Sequence, residues 1–253
     1  MATKNNWLKT NIAERLTNPE ADFKVWHEVE SVEKLTWSQA LFDTVTDFSW
    51  ISKKLYIPLS GGMDSEFVFD CLKHLKPTPI IVDTPGNKLE SAYAFHYCRK
   101  HDLRPVVIEK TEAEMLRTYY EDIFLKLNGY GSDSVAVLLA SRYAEENDGV
   151  AVIGEHAYDD VNEWDFYNDA LIHENNSIYF FMWSPELVKA MQNEYDGDDH
   201  QEFKHRLYKV PFRPKLNYDY SSSYKRAFTT IRSKRVYTPG YNSRVTVQSK
   251  MVK

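Results

Sequence analysis

The sequence predicts an α/β fold, a parallel sheet covered by helices on both faces. Short apolar runs alternate with longer stretches of helical spacing. The runs lack the in–out alternation of a half-exposed strand, so both sides of the sheet should be covered. Three of them finish at Ser60, Asp83 and Gly154, and ligands gather beyond the carboxyl ends of such strands.

Taken in order, Trp37–Ile51 (WSQALFDTVTDFSWI) carries apolar residues at helical spacing and leads into the first strand, Lys54–Leu59. A helix over Ser65–Leu75 follows. Pro77 and Pro79 bound a second strand, Ile80–Val82, which ends at Asp83. Asn87–His101 reads as a helix with Ala92, Phe95 and Cys98 on one side, and Pro105 opens a third strand, Val106–Ile108. Thr111–Leu127 is the next helix, with Thr111 and Glu114 at capping-box spacing. Ser134–Glu146, opened by Ser132 or Asp133, is another, and strand Val150–Ile153 then arrives at Gly154. Beyond Asp160 the pattern thins. Ile178–Trp183 reads as a strand, Ser184-Pro185-Glu186 as a helix start with proline at the first helical position, and Glu194–Glu202 as a polar loop. This divides the chain into a helical N-terminal segment (1–50), an α/β domain (51–200) and a basic C-terminal extension packed on that domain (201–253).

The stretch LYIPLSGGMDS, residues 55–65, carries the chemistry. Gly61 and Gly62 lack a Cβ, so their backbone can take positive φ and approach an anion closely. The helix that follows would aim its first amides at the same spot, and Ser60 and Ser65 add hydroxyl donors. Asp64 fits beside phosphate only with a cation between them, which implies Mg²⁺. A Walker A loop is excluded, because no lysine occurs between Lys54 and Lys73.

Composition narrows the function classes. Apolar residues make up 43% of the 253, enough for a substantial core, but no run approaches the ~20 residues needed to cross a bilayer. The opening MATKNNWLKT lacks the apolar stretch of a secretory signal. With only Cys71 and Cys98, a disulfide scaffold and a four-cysteine zinc site are both excluded, and a cytoplasmic location is expected. The formal charge of −6 hides an asymmetry: from Phe203 to Lys253 there are 13 Lys or Arg and one acid, Asp219. Such a stretch suits docking on the acidic body, gripping polyphosphate, or contacting nucleic acid. No RNA-binding motif accompanies it, so nucleic acid is the less favoured of the three.

The hexapeptide at 60–65 resembles the SGG-x-DS signature of the PP-loop ATP pyrophosphatases, which cleave ATP between its α and β phosphates. A second segment, VIGEHAYDD (152–160), is similar to the GEG-x-D-E motif of the asparagine synthetase branch. Here His156 stands in place of a glycine, and one extra residue precedes the acid pair. The likeness runs from about Trp37 to Asp160 in order and spacing. It implies that residues 60–65 bind ATP and pyrophosphate, with Ser60, Gly61, Gly62, Asp64 and Ser65 as contacts. Pro58, Val82, Ile153 and Gly154 would border the adenine. Asp64, with either Asp159 or Asp160, would hold Mg²⁺, and Glu155 would orient or deprotonate an amine. A downstream lysine often assists in these synthetases; Lys215 is the first candidate here and Lys225 the second.

The resemblance implies a ligase that adenylates a carboxylate and passes it to ammonia or an amine, releasing AMP and pyrophosphate. The roughly fifty residues before the motif are too few for a glutaminase domain, so nitrogen would come from ammonia, from the substrate's own amine, or through a separate amidotransferase subunit. Two alternatives stay open: a PP-loop enzyme acting on a tRNA or nucleobase, and a nucleotide-binding module without turnover. Other residues fit less well. His96 and His101 are five apart, a poor metal pair, while Trp164 and Phe166 suit core packing as readily as an acceptor pocket.

Overall fold

A computed structural model describes residues 7–10, 24–27, 32–118, 121, 133–154, 177–195, 200–211 and 246–248. Two short strands come first, β1 (Leu8–Thr10) and β2 (Lys24–His27), antiparallel to one another. Of the described residues before Trp37, 8–10 and 24–27 are strand, within the stretch 1–50 expected as a partly helical N-terminal segment. Helix α1 (Trp37–Phe48) follows the expected Trp37–Ile51 reading. It opens on a capping box: Gln39 N–H donates to Thr36 Oγ1 (3.3 Å) and Thr36 N–H donates to Gln39 Oε1 (3.1 Å). Its buried residues, Trp37, Ala40, Thr44 and Phe48, recur at helical spacing along one stripe.

The main sheet contains β3 (Lys54–Pro58), β4 (Thr78–Asp83), β5 (Val106–Glu109), β6 (Gly149–Ile153) and β7 (Ile178–Tyr179). All are parallel, in the order β5-β4-β3-β6-β7. Between them lie α2 (Met63–Leu72), α3 (Lys88–Lys100), α4 (Glu112–Thr118) and α5 (Asp133–Glu146); α6 (Pro185–Glu194) and α7 (His200–Tyr208) come after β7. A last strand, β8 (Thr246–Gln248), pairs parallel with β2.

Successive strand residues point to opposite faces, and each face has its own apolar layer. Leu55, Ile57, Ile81, Val150 and Val152 join residues of α1, α2, α3, α6 and α7 in the larger layer. Tyr56, Ile80, Val82 and Ala151 meet Ala140 and Ala144 of α5 on the other. Small alanines let α5 lie close to the sheet. The expected α/β sheet covered on both faces is therefore what the chain forms.

Several details depart from the sequence reading. The buried face of α3 is Ser91, Ala94, Tyr97 and Cys98, not the Ala92 face, and Ala92 is exposed. The strand expected over Ile178–Trp183 stops at Tyr179. There Phe180 N–H donates to Ile153 O (3.0 Å) and Trp183 N–H to Phe180 O (3.1 Å), turning the chain so that its aromatics fill the larger layer. Phe48 packs against both Phe180 and Trp183, at 5.4 and 4.7 Å between ring centroids. The polar loop expected over Glu194–Glu202 ends early, because α7 begins at His200. Helix α7 also runs across the boundary placed between residues 200 and 201. Phe203 and Tyr208 are buried in the main core, so this helix belongs with the sheet. Among the described residues no helix is long and apolar enough to cross a membrane.

Candidate functional site

The strand order creates a switch point. From β3 the chain winds outward through β4 and β5, then returns to the other side of β3 as β6. Connections diverge there, leaving a crevice beyond the carboxyl ends of β3 and β6, where ligands bind in open α/β sheets. The loop of residues 59–62 and the exit of β6 at Gly154 both lie at this crevice.

Leu59 N–H donates to Ile80 O (2.8 Å), carrying the β3–β4 pairing to the mouth of the loop. Gly61 then takes φ +89°, and a Cβ built on it would stand 2.1 Å from the Glu90 carbonyl oxygen. Only glycine satisfies both constraints. Gly62 is the N-cap of α2. The loop is braced by its own serines: Gly62 N–H donates to Ser60 Oγ (3.2 Å), Ser60 N–H donates to Ser65 Oγ (3.3 Å), and Ser65 Oγ donates to Gly62 O (3.1 Å). Ser65 is buried, whereas Ser60 and Gly62 are exposed. Sequence reasoning made both hydroxyls donors to a ligand; in the structure Ser65 gives its proton to the loop itself.

Asp64, in the first turn of α2, is held from across the molecule. Lys204 Nζ of α7 donates to Asp64 Oδ2 at 2.7 Å, and Tyr208 Oη donates to Asp64 Oδ1 at 3.0 Å. The Lys204 side chain is only 8% exposed. Tyr208 stacks on Phe67 of α2 at 4.3 Å between centroids, and Phe181 lies parallel to both, 5.9 Å from Phe67 and 5.5 Å from Tyr208. This aromatic layer fixes α7 against α2 and so fixes where the ammonium sits. Gly154 closes the other side, since a Cβ on it would be 3.1 Å from Asp64 O and from Ser65 N. Gly154, where the second motif begins to leave β6, thus meets the first turn of α2.

Sequence reasoning missed Lys204 and Tyr208. The signal was present, because Phe203, Lys204, Leu207 and Tyr208 fall on one side of a helical stretch, putting a lysine on an apolar face. Glu66, a buried acid on α2, was also missed. Glu155, Asp159, Asp160, Lys215 and Lys225 lie outside the described residues, as do Trp164 and Phe166.

The residues expected around the adenine are placed by the sheet. Val82 and Ile153 are buried and Pro58 partly so. Val82 turns its side chain into the layer under α5, so only its backbone can face a ligand. Its carbonyl accepts from Asn87 Nδ2 (2.9 Å), and that of Ile153 accepts from Phe180 N–H (3.0 Å). At the end of β4, Asp83 accepts from Ser91 Oγ (2.8 Å) and pairs with Lys88.

Burial pushes the Cys71 thiol up to about 12 and the Cys98 thiol up to about 11, with the charges of Asp70 and Glu66 adding to the respective shifts. Both are protonated, weak nucleophiles at neutral pH. His101 lies against the Tyr97 ring at 4.5 Å, a packing role. Among the described residues no three His, Cys, Asp or Glu are grouped to hold a metal ion. Asp64 is the described carboxylate at this turn that could contribute to a Mg²⁺ ion, if phosphate oxygens provided most of its other ligands.

No family model matches the chain, and no curated protein matches it by sequence. Solved structures do resemble it. A predicted subunit of tRNA methyltransferase from Methanocaldococcus jannaschii is 13% identical, with 66% of this chain and 96% of that one covered and a TM-score of 0.37. Glutamine-dependent NAD+ synthetase from Acinetobacter baumannii, solved with ADP, is 11% identical, covering 76% and 39% at a TM-score of 0.43. NMN synthetase from Francisella tularensis is 12% identical, covering 86% and 100% at a TM-score of 0.39. Likeness at this level says nothing about activity.

Proposed function

We propose that the chain is a PP-loop ATP pyrophosphatase that joins a carboxylate to ammonia or an amine, in the manner of asparagine synthetases. One observation carries the reading: an SGG-x-DS turn, with Gly61 forced to positive φ, sits at the switch point of a parallel sheet and opens directly into a helix. Anions are stabilised there by backbone amides and the helix terminus together.

In this reading the carboxylate oxygen of the substrate attacks the α phosphorus of ATP. The bond from that phosphorus to the bridging oxygen breaks, and pyrophosphate leaves. Amides of the first turn of α2 stabilise the charge on the departing group. Lys204, 2.7 Å from Asp64, would neutralise it; the sequence reading expected a downstream lysine to assist, Lys215 first and Lys225 second. The amine then attacks the acyl carbon, AMP departs, and Glu155 takes the amine's proton. Asp64, with Asp159 or Asp160, would hold Mg²⁺, which supplies charge neutralisation of the phosphates.

Exchange of labelled pyrophosphate into ATP, run over a panel of carboxylates with and without ammonium, tests the reading. Carboxylate-dependent labelling is the expected result. Nucleotide binding without any labelling would leave a non-catalytic module. A tRNA or nucleobase acceptor is the second reading, drawn from the thirteen basic residues between Phe203 and Lys253. Within it, sulfur transfer through Cys71 or Cys98 is disfavoured by their protonated state. Binding of tRNA that survives physiological salt would favour it over the small-molecule ligase.

A further inference from the structure

We infer that Lys204 and Tyr208 act as an internal stand-in for the metal, keeping Asp64 closed to a free divalent cation until nucleotide arrives. The inference rests on the reading of Asp64 as a metal ligand, and it adds an order of assembly to that reading. Both carboxylate oxygens of Asp64 are engaged, one by an ammonium at 2.7 Å and the other by a phenol at 3.0 Å. The two partners come from a single helix, four residues apart and therefore on one face. Neither can drift away easily, since Tyr208 is clamped in the stack with Phe67 and Phe181 and the Lys204 side chain is buried.

A divalent cation arriving alone would have to displace the ammonium from Asp64 or sit beside it. Displacement takes the Asp64 carboxylate away from a buried ammonium, and coexistence sets the metal beside that ammonium on the same carboxylate. Polyphosphate removes both penalties. Its oxygens complete the coordination of the metal and also accept from Lys204 as it leaves Asp64. Metal and nucleotide should therefore enter together.

The test uses the full chain and Mn²⁺ as the probe, with free metal read from its electron paramagnetic resonance signal. Wild-type protein should bind Mn²⁺ alone weakly and bind it well with α,β-methylene-ATP. Lys204→Met should tighten binding of Mn²⁺ alone on the order of tenfold, whereas Lys204→Arg, which keeps the charge, should not. Tyr208→Phe retains the ring stack and should tighten it by roughly threefold. Circular dichroism reports which variants fold, and Tyr208→Phe decides the matter if Lys204→Met does not. Mn²⁺ affinity in folded Lys204→Met or Tyr208→Phe equal to that of wild type would overturn the inference. So would wild-type protein that binds Mn²⁺ alone as tightly as with the nucleotide analogue. Calorimetry with the analogue separates the two ideas: an analogue that fails to bind sinks the ATP reading, while the metal-only comparison still judges the stand-in.

Discussion

Gly61 and Asp64 show how much of the site rests on single atoms. Gly61→Ala would force φ +89° on an L-residue and drive its methyl to within 2.1 Å of a backbone oxygen that cannot swing aside. A loss of more than about 2 kcal/mol is expected in denaturant unfolding, together with loss of nucleotide binding. Asp64→Ala is not a clean catalytic knockout. It leaves the Lys204 ammonium, 8% exposed, without its carboxylate, so it should destabilise by about 2 kcal/mol as well as abolish pyrophosphate exchange. Asp64→Ala combined with Lys204→Met should recover most of that stability and none of the exchange. A single Asp64→Ala chain as stable as wild type would show that the pair contributes little to folding. The sequence made both residues legible for different reasons. A pair of glycines between an apolar run and a helix is a local pattern, and local patterns can be read directly. The partner of Asp64 lies 140 residues away, and no local rule reaches that far.

At the scale of elements, the helix starts were read best where a side chain closes on its own backbone. Thr111 and Glu114 were expected to form a capping box. Thr111 N–H does donate to Glu114 Oε2 (2.8 Å), and Glu114 N–H donates to Thr111 Oγ1 (3.3 Å). Hydrogen bonds from the Thr111 backbone and hydroxyl, then Lys110, hold the Glu114 carboxyl down to about 2. A carboxylate depressed in the folded state contributes stability at neutral pH. That contribution starts to fall as pH drops below about 4.5 and is gone once pH passes through about 2. Carboxyl NMR should find Glu114 titrating near 2 in the folded chain, and a midpoint above 4 would mean that the box does not form in solution. Elements were misread where tertiary packing decided the outcome. Ile178–Trp183 is apolar enough for a strand, yet Trp183 Nε1 donates to Asp47 Oδ2 (2.8 Å) and pulls the chain toward α1. The stretch before Phe203 is polar and looks like a loop, but α7 is held by buried Phe203 and Tyr208.

For the molecule as a whole, the sheet could be read because strands covered on both faces leave continuous apolar runs. The small sheet of β1, β2 and β8 could not, since it pairs segments more than two hundred residues apart. Trp7, which precedes β1, is buried and donates from its indole to Met182 O (3.1 Å), tying the start of the chain to the turn after β7. Charge also acts at this scale. An acidic body carries a basic stretch, and helix α7, where that stretch begins, delivers Lys204 to the loop. The cradle proposed for polyphosphate would thus be assembled from two distant parts of the chain, a glycine-serine turn and a buried lysine. Titration calorimetry of the folded 253-residue chain with ATP and Mg²⁺ tests this most directly. Saturable single-site uptake is predicted, weakened on the order of tenfold by Lys204→Met. No uptake by folded wild-type protein would contradict it.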